Sequence, residues 1–322
     1  VGTKVVFSPN DAVKLALSSI ESRRNEGYKG VKLGLSELDD YFLPGRPGEM
    51  IGVLGRSREY KSGLMQWWGR SVAKELIAEK NLTECVIYVT WEVAIEEIIC
   101  FDLAYTARMN AIDVVQGKLS DEEMERLRLV EGPRRATMPL YLIGHSIGEK
   151  RARPRLSMKA VSEAIYELMD TFSLSPRVVF LDYLQQIEAE QGRDRRMEIF
   201  YSVYACKDLA LALGCPVVMG SQANRESYRA GDWGIPSFTS SMESSNFEQT
   251  CDKMIGTWYP IKTHPDTPTL ETKAGEVLRV NENLLLLQIM KQKIGPSGRW
   301  WPLYVNPSIN DIKPMMLTTE QL

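Results

Sequence analysis

Apolar and polar positions along this chain switch between two periods, one helical and one extended. From Asp11 to Arg23, Val13, Ala16, Leu17 and Ile20 recur at helical spacing, with Asn10 or Asp11 available as a cap and Gly27 beyond the end, which predicts a short amphipathic helix. Its stripe precedes the first strand pattern, so it has no evident place in a core. The segment Gly30 to Asp39 and the Pro/Gly-rich turn Leu43 to Gly48 lead into 50–54, a continuous apolar run that reads as a buried strand. Helices are then expected at about 61–79, 94–108, 157–172 and 196–213, alternating with strands at 85–90, about 139–143, 177–182 and 216–220. Such alternation is the signature of a parallel sheet with helices on both faces. Toward the end the pattern changes to strands at 253–258, 284–291 and Trp300 to Val305, with turns at 260–275 and 295–298, which suggests an antiparallel edge. The stretch His264 to Thr272 reads as an exposed loop, and Trp67, Trp68, Trp300 and Trp301 as packing aromatics.

Composition narrows the class. With 322 residues, 44% hydrophobic and 25% charged, the chain can build a sizeable core and is not globally disordered. Five cysteines stand far apart, with no CxxC pair and two histidines, so neither a disulfide framework nor a zinc site is encoded. Buried free thiols in a reducing cytoplasm are the expectation. No apolar run approaches the length of a bilayer span, and no membrane partner is expected. The first residue is Val rather than Met, which suggests a further N-terminal domain before it. A net charge of −3 argues against coating nucleic acid by bulk charge, although it allows a locally basic channel.

The candidate chemistry begins directly after the 50–54 strand. Gly55, Arg56, Ser57, Arg58, Glu59, Tyr60, Lys61 and Ser62 have the length, position and final Lys-Ser of a phosphate-binding loop, with Tyr60 where the second glycine belongs. In such a loop backbone N–H groups cradle the phosphates, the Lys supplies charge and the Ser hydroxyl holds magnesium. Other strand ends supply company. Asp182 closes an apolar strand and is suited to bind magnesium through water; Glu92 follows another and could orient or deprotonate a water. Gln222 ends a fourth, with an amide able to touch a γ-phosphate.

At this level of detail the chain resembles the RecA-like ATPase domain of DnaB-type replicative helicases. Carrying the resemblance are Gly34 to Asp39, Pro44 to Met50, Thr90-Trp91-Glu92-Val93, Leu181-Asp182-Tyr183-Leu184-Gln185 and Ser221-Gln222-Ala223-Asn224-Arg225, followed in family order by Phe247 to Asp252 and Lys291 to Gly298. The fold it implies is α/β, a RecA-like P-loop NTPase core of mainly parallel twisted sheet flanked by helices with a C-terminal antiparallel edge. Residues 1–29 would be a linker helix segment docking on the adjacent subunit, 30–308 the ATPase domain and 309–322 a C-terminal tail. The function implied is that of a cytoplasmic, hexameric ring, dependent on ATP and Mg2+, that moves along single-stranded DNA in replication, with a primase or a helicase loader among its partners. Lys61, Ser62, Glu92, Asp182 and Gln222 would act within one subunit, while Lys291 and Lys293 would reach across the interface to the γ-phosphate.

Three departures from the family accompany the match. Tyr60 replaces the loop glycine, Lys293 stands where an Arg is usual and lacks its planar fork, and the loop before Glu248 carries Met242 and Ser245 where Arg and Gly are typical. DNA contacts are expected from Arg193, Arg195 and Arg196, and from Glu243 and Ser245 in that loop; the cluster Lys150 to Arg155 reads as a solvated loop. The divergence suggests a phage or mobile-element source. It also motivates a second reading, a catalytically impaired relative that serves as a DNA-binding scaffold or partner-loading module. A RecA-like recombinase or clock-type ATPase shares the core but fits the blocks around Asp182 and Lys291 less well.

Overall fold

A computed structural model describes residues 6–26, 30–148, 156–187, 195–223, 245–271 and 277–315. Its strands are β1 (Met50–Gly55), β2 (Glu84–Thr90), β3 (Leu140–Ile143), β4 (Ser175–Asp182), β5 (Val217–Gln222), β6 (Lys253–Trp258), β7 (Thr269–Glu271), β8 (Val277–Arg279), β9 (Leu284–Gln292), β10 (Trp300–Asn306) and β11 (Asp311–Pro314). The helices are α1 (Pro9–Glu26), α2 (Ser36–Tyr41), α3 (Lys61–Ala78), α4 (Ile95–Ala107), α5 (Ala111–Gln116), α6 (Asp121–Arg126), α7 (Gly132–Ala136), α8 (Met158–Phe172), α9 (Arg195–Leu213), α10 (Ser245–Thr250) and α11 (Pro260–Thr263).

Among the described residues nine strands form one sheet in the order β11-β10-β9-β6-β1-β5-β4-β2-β3. The six from β3 to β6 run parallel, and β9, β10 and β11 continue the sheet antiparallel. The expected α/β core with an antiparallel edge is therefore present. Both faces are covered, which is why β1 and β6 are buried along their whole length and β1 reads as an unbroken apolar run. On one face Ile51, Val53, Tyr88, Phe180 and Val218 pack with Leu64, Trp68 and Leu76 of α3. On the other, Leu54, Ile87, Val179, Leu181 and Met219 pack with Val161 and Ile165 of α8 and Ile199 and Val203 of α9. Trp67, Trp68 and Trp301 are buried and Trp300 packs on Trp258, so the tryptophan pairs are core aromatics. Cys85, Cys206, Cys215 and Cys251 are buried free thiols, and Cys100 is half-buried.

Three stretches depart from the sequence pattern. Residues 111–136, where no element was expected, fold as α5, α6, one π-helical turn at Leu127–Glu131 and α7. α5 is too short to show a helical period, and although α6, the π-helical turn and α7 follow without a break, the π turn and Gly132-Pro133 interrupt theirs. The expected turn and exposed loop after residue 260 contains α11 and β7, and β7 pairs with β8 to bury Leu270 and Leu278 against Trp258. Residues 311–314, expected in the tail, form β11 on the sheet edge, with Ile312 buried. The helix expected at 11–23 forms as α1, and Val13, Leu17 and Ile20 on its stripe are exposed.

A buried polar network ties α3 to this edge. Arg70 and Asp102, each only 1% exposed, pair at 2.9 Å. The other Asp102 oxygen takes the Arg135 Nε–H at 2.7 Å, and Arg70 also donates to the Asn310 carbonyl at 2.7 Å. Removing one member of such a set strands the others in a medium that solvates charge poorly. Asp102→Ala is therefore expected to destabilise the fold by about 3–5 kcal/mol in denaturant unfolding, far more than an exposed charge such as Glu163→Ala.

Candidate functional site

The register of the parallel strands builds the site. Gly55 pairs with Gln222 and Thr90 with Asp182, so the carboxyl ends of β1, β5, β4 and β2 open on one edge. Ligands of open parallel sheets sit at such edges, because the loops there join strand ends to helix N-termini. Gly55 is required by close approach: a Cβ at that position would lie 2.3 Å from Thr257 Oγ1.

From Gly55 the chain turns through Arg58 and Tyr60, both left-handed at φ +66°, into the first turn of α3. A non-glycine residue in that region costs of order 1–3 kcal/mol and persists only where its surroundings hold it. Tyr60 is half-buried and stands as the N-terminal flanking residue of α3, with its carbonyl accepting from the Leu64 N–H at 2.8 Å. Its ring packs against Tyr259 at 5.6 Å between centroids, and burial pushes its phenol pKa up. Between the two left-handed residues Glu59 turns inward. Its carboxylate, 1% exposed, accepts from the Arg56 N–H at 2.9 Å and faces the Arg56 guanidinium at 3.4 Å. Burial outweighs these contacts and lifts the Glu59 pKa from 4.5 to about 6.

Lys61 and Ser62 then face the end of β4. Ser62 Oγ donates to Asp182 Oδ1 at 3.0 Å, and the Tyr88 hydroxyl donates to Asp182 Oδ2 at 2.7 Å. Burial raises the Asp182 pKa against the opposing pull of Tyr88, Lys61 and Ser62. The buried Lys61 ammonium lies 5.1 Å from the centre of the Tyr183 ring. Desolvation lowers its pKa, while Asp182, Glu92 and Glu59 oppose the shift. Glu92 is exposed, in a turn where Thr90 Oγ1 accepts from the Val93 N–H at 3.1 Å. Gln222 is half-buried, and its N–H donates to Gln185 Oε1 at 3.0 Å while Gln185 Nε2 donates to Ser221 Oγ at 3.2 Å. Gln185 thus ties the turn after β4 to the end of β5.

The hydroxyl of Ser62 and the carboxylate of Asp182 are hard oxygen donors held together, which suits Mg2+, an ion that keeps much of its shell as water and phosphate oxygen. Among the described residues no group of three or more His, Cys, Asp or Glu forms a cage of its own. Loop N–H groups, a lysine and a hydroxyl-carboxylate pair together form a setting for a magnesium-bound polyphosphate.

The expected residues fall into three groups. Gly55 to Ser62, Glu92, Asp182 and Gln222 share the edge. Lys291 and Lys293 do not. Lys291 pairs with Met254, and Gln292 with Lys253, which faces Ile51, so both lysines sit at the amino end of β1, roughly 13 Å of strand from Gly55. There Lys291 Nζ donates to the Glu248 carbonyl, and Lys293, 53% exposed, pairs with Asp252, which also holds Lys207 at 2.6 Å and the Met50 N–H at 2.8 Å. Arg193 and Glu243 lie outside the described residues, as do Met242 and the Lys150 to Arg155 cluster; Arg195, Arg196 and Ser245 open α9 and α10, and only their backbone is described. Sequence reasoning passed over Tyr88, Gln185 and Gly63. Gln185 belongs to the block that begins at Leu181, and Tyr88 lies two residues before Thr90 on β2, but only the fold turns its hydroxyl onto Asp182.

Glu59 gives the loop a pH dependence. A carboxyl whose pKa is raised on folding binds its proton more tightly in the folded state, so stability is greatest below 4.5 and falls as pH rises through about 6. Unfolding free energies between pH 4.5 and 6.5 are expected to fall by about 1.5 kcal/mol from this group, and Glu59→Gln is expected to remove that part of the slope.

The family described as DnaB-like helicase C terminal domain matches residues 30–307. The chain is 23% identical over 276 residues to the replicative DNA helicase DnaB of Mycoplasma genitalium, covering 84% of this chain and 53% of that protein. With the DnaB of Leifsonia xyli it shares 25% identity over 248 residues, 76% of this chain and 50% of the other. It spans about half the length of these curated relatives. Among solved structures, one of an ATPase domain superposes with a TM-score of 0.77 at 18% identity, covering 97% of this chain and all of that one. Another, of a DnaB-like replicative helicase described with its primase interactions, gives 0.76 at 17%, covering 96% and 69%. The RadB recombinase gives 0.50 at 14%, covering 89% of this chain and 100% of its own, a likeness of fold.

Proposed function

This chain belongs to the DnaB-like helicase C-terminal domain family, and from that membership we propose that it is an ATP-hydrolysing motor that works as a ring on single-stranded DNA in replication. One observation carries the proposal: strand register gathers Lys61, Ser62, Asp182 and Gln222 around a single loop at one sheet edge. Lys61 places its charge on the bound triphosphate, and Ser62 with Asp182 holds Mg2+, Asp182 through water. The ion supplies Lewis-acid charge to the phosphoryl oxygens. Glu92, exposed at the mouth and within electrostatic reach of Lys61, orients or deprotonates the attacking water. Gln222 contacts the γ-phosphate, and its tie through Gln185 to the end of β4 holds it in place.

Lys291 and Lys293 serve the neighbouring subunit's nucleotide, since their own loop lies at the far end of β1. This makes hydrolysis depend on assembly, with α1 docking on the adjacent copy. Arg193, Arg195 and Arg196, after β4 in the sequence, and Glu243 and Ser245, after β5, supply the DNA contacts. The solved relative described with primase supports a primase as partner. A cytoplasmic setting fits this work, and among the described residues no helix is long and apolar enough to cross a membrane.

Steady-state ATP hydrolysis with and without single-stranded DNA tests the proposal. DNA is expected to stimulate turnover, and Glu92→Gln to lower kcat by about 10²- to 10⁴-fold with nucleotide binding retained. Lys61→Ala is expected to weaken binding as well. Turnover that ignores DNA and survives both substitutions would contradict it.

A further inference from the structure

Tyr60 occupies the loop position where glycine would supply a left-handed residue without cost, yet the backbone there is left-handed all the same, at φ +66° and ψ 15°. Its ring lies against Gly63, the third residue of α3. A Cβ built on Gly63 would stand 2.7 Å from Tyr60 Cε1 and 2.8 Å from Cδ1, distances that real Cβ atoms do not adopt. Asn310 Oδ1, the end of a flexible side chain, is 3.0 Å from the same point, and the Tyr60 ring also packs against that of Tyr259. The bulky residue at 60 and the missing side chain at 63 therefore fit only together. A tyrosine without an anchor would leave the left-handed region, and a helix has no conformational need for glycine in its first turn, so each residue makes sense only beside the other.

We infer that Tyr60 and Gly63 are a matched pair, in which the ring seated on Gly63 and Tyr259 holds the phosphate loop in the conformation that glycine ordinarily gives it. Tyr60 is thus a positioning residue: the ring packs on Gly63 in α3's first turn, on Tyr259 and on the core, and its effect on nucleotide passes through the backbone of residues 59–62. The inference rests on the nucleotide reading only for its effect on affinity; the pairing itself is a property of the fold.

A double-mutant cycle in Tyr60→Gly and Gly63→Ala tests it with two readouts, the melting temperature without ligand and the affinity for Mg·ATP. In the Tyr60 chain, Gly63→Ala is expected to lower the melting temperature and to weaken Mg·ATP by about tenfold or more, because the methyl expels the ring. In the Tyr60→Gly chain the same substitution is expected to raise the melting temperature, since alanine is the better helix former once no ring is in the way, and the double variant should recover most of the lost affinity. Tyr60→Ala, which keeps the left-handed cost and loses the anchor, should bind more weakly than Tyr60→Gly. Equal effects of Gly63→Ala in both backgrounds, or an alanine at 60 that binds as well as glycine, would overturn the pairing. Failure of the unmutated chain to take up Mg·ATP would strike the nucleotide reading instead, and the melting temperatures would still decide the pair.

Discussion

The parallel hydrogen-bond ladder joining β2, β4, β5 and β1 is the constraint on which the site depends. The candidate groups come from four strand ends, β1, β2, β4 and β5, and none of the four has a local reason to meet the others. A slip of one residue in any pairing would turn the side chains of that strand to the opposite face. Burial forbids the slip, because alternate residues of β1 and β4 are committed to two different cores. The chemistry at the edge is thus fixed by hydrophobic packing some distance below it. The Gly55–Thr257 approach and the Gln185 bridge adjust an arrangement the sheet has already set.

Within that frame the loop solves a conflict between conformation and residue type. Two left-handed residues that are not glycine carry a cost of order 1–3 kcal/mol each. Burying much of an aromatic ring returns about 1.5–3 kcal/mol and an aromatic pair about 0.5–1.5 more, so the Tyr60 contacts are of the right size to offset its own backbone. The Glu59 carboxylate braces the other side of the turn by taking the Arg56 N–H. A glycine-poor loop keeps its shape by packing and pairing where glycine would keep it by freedom.

The parts legible from sequence are those with long, one-sided patterns. The strands around the loop are continuous apolar runs and came within about two residues of their observed ends, as boundaries usually do. The short helices of 111–136 and the β7–β8 pair have no period to read, and β11 is a four-residue strand whose place depends on β10. At the site, Lys61, Ser62, Asp182 and Gln222 announce themselves by their positions at strand ends. The link between Tyr60 and Gly63 does not, since a tyrosine three residues before a glycine is unremarkable until the backbone at 60 proves left-handed. Likewise the distance of Lys291 and Lys293 from the loop follows from the antiparallel turn of β9 onto β6, a matter of topology rather than motif.

The proposed motor depends on this loop, with a tyrosine in place of its glycine, wrapping a triphosphate. Isothermal titration of ATP into the chain with Mg2+ present tests it most directly. The structure predicts saturable uptake of one nucleotide per chain that Lys61→Ala weakens; no uptake at high protein concentration, or uptake indifferent to Lys61, would contradict it.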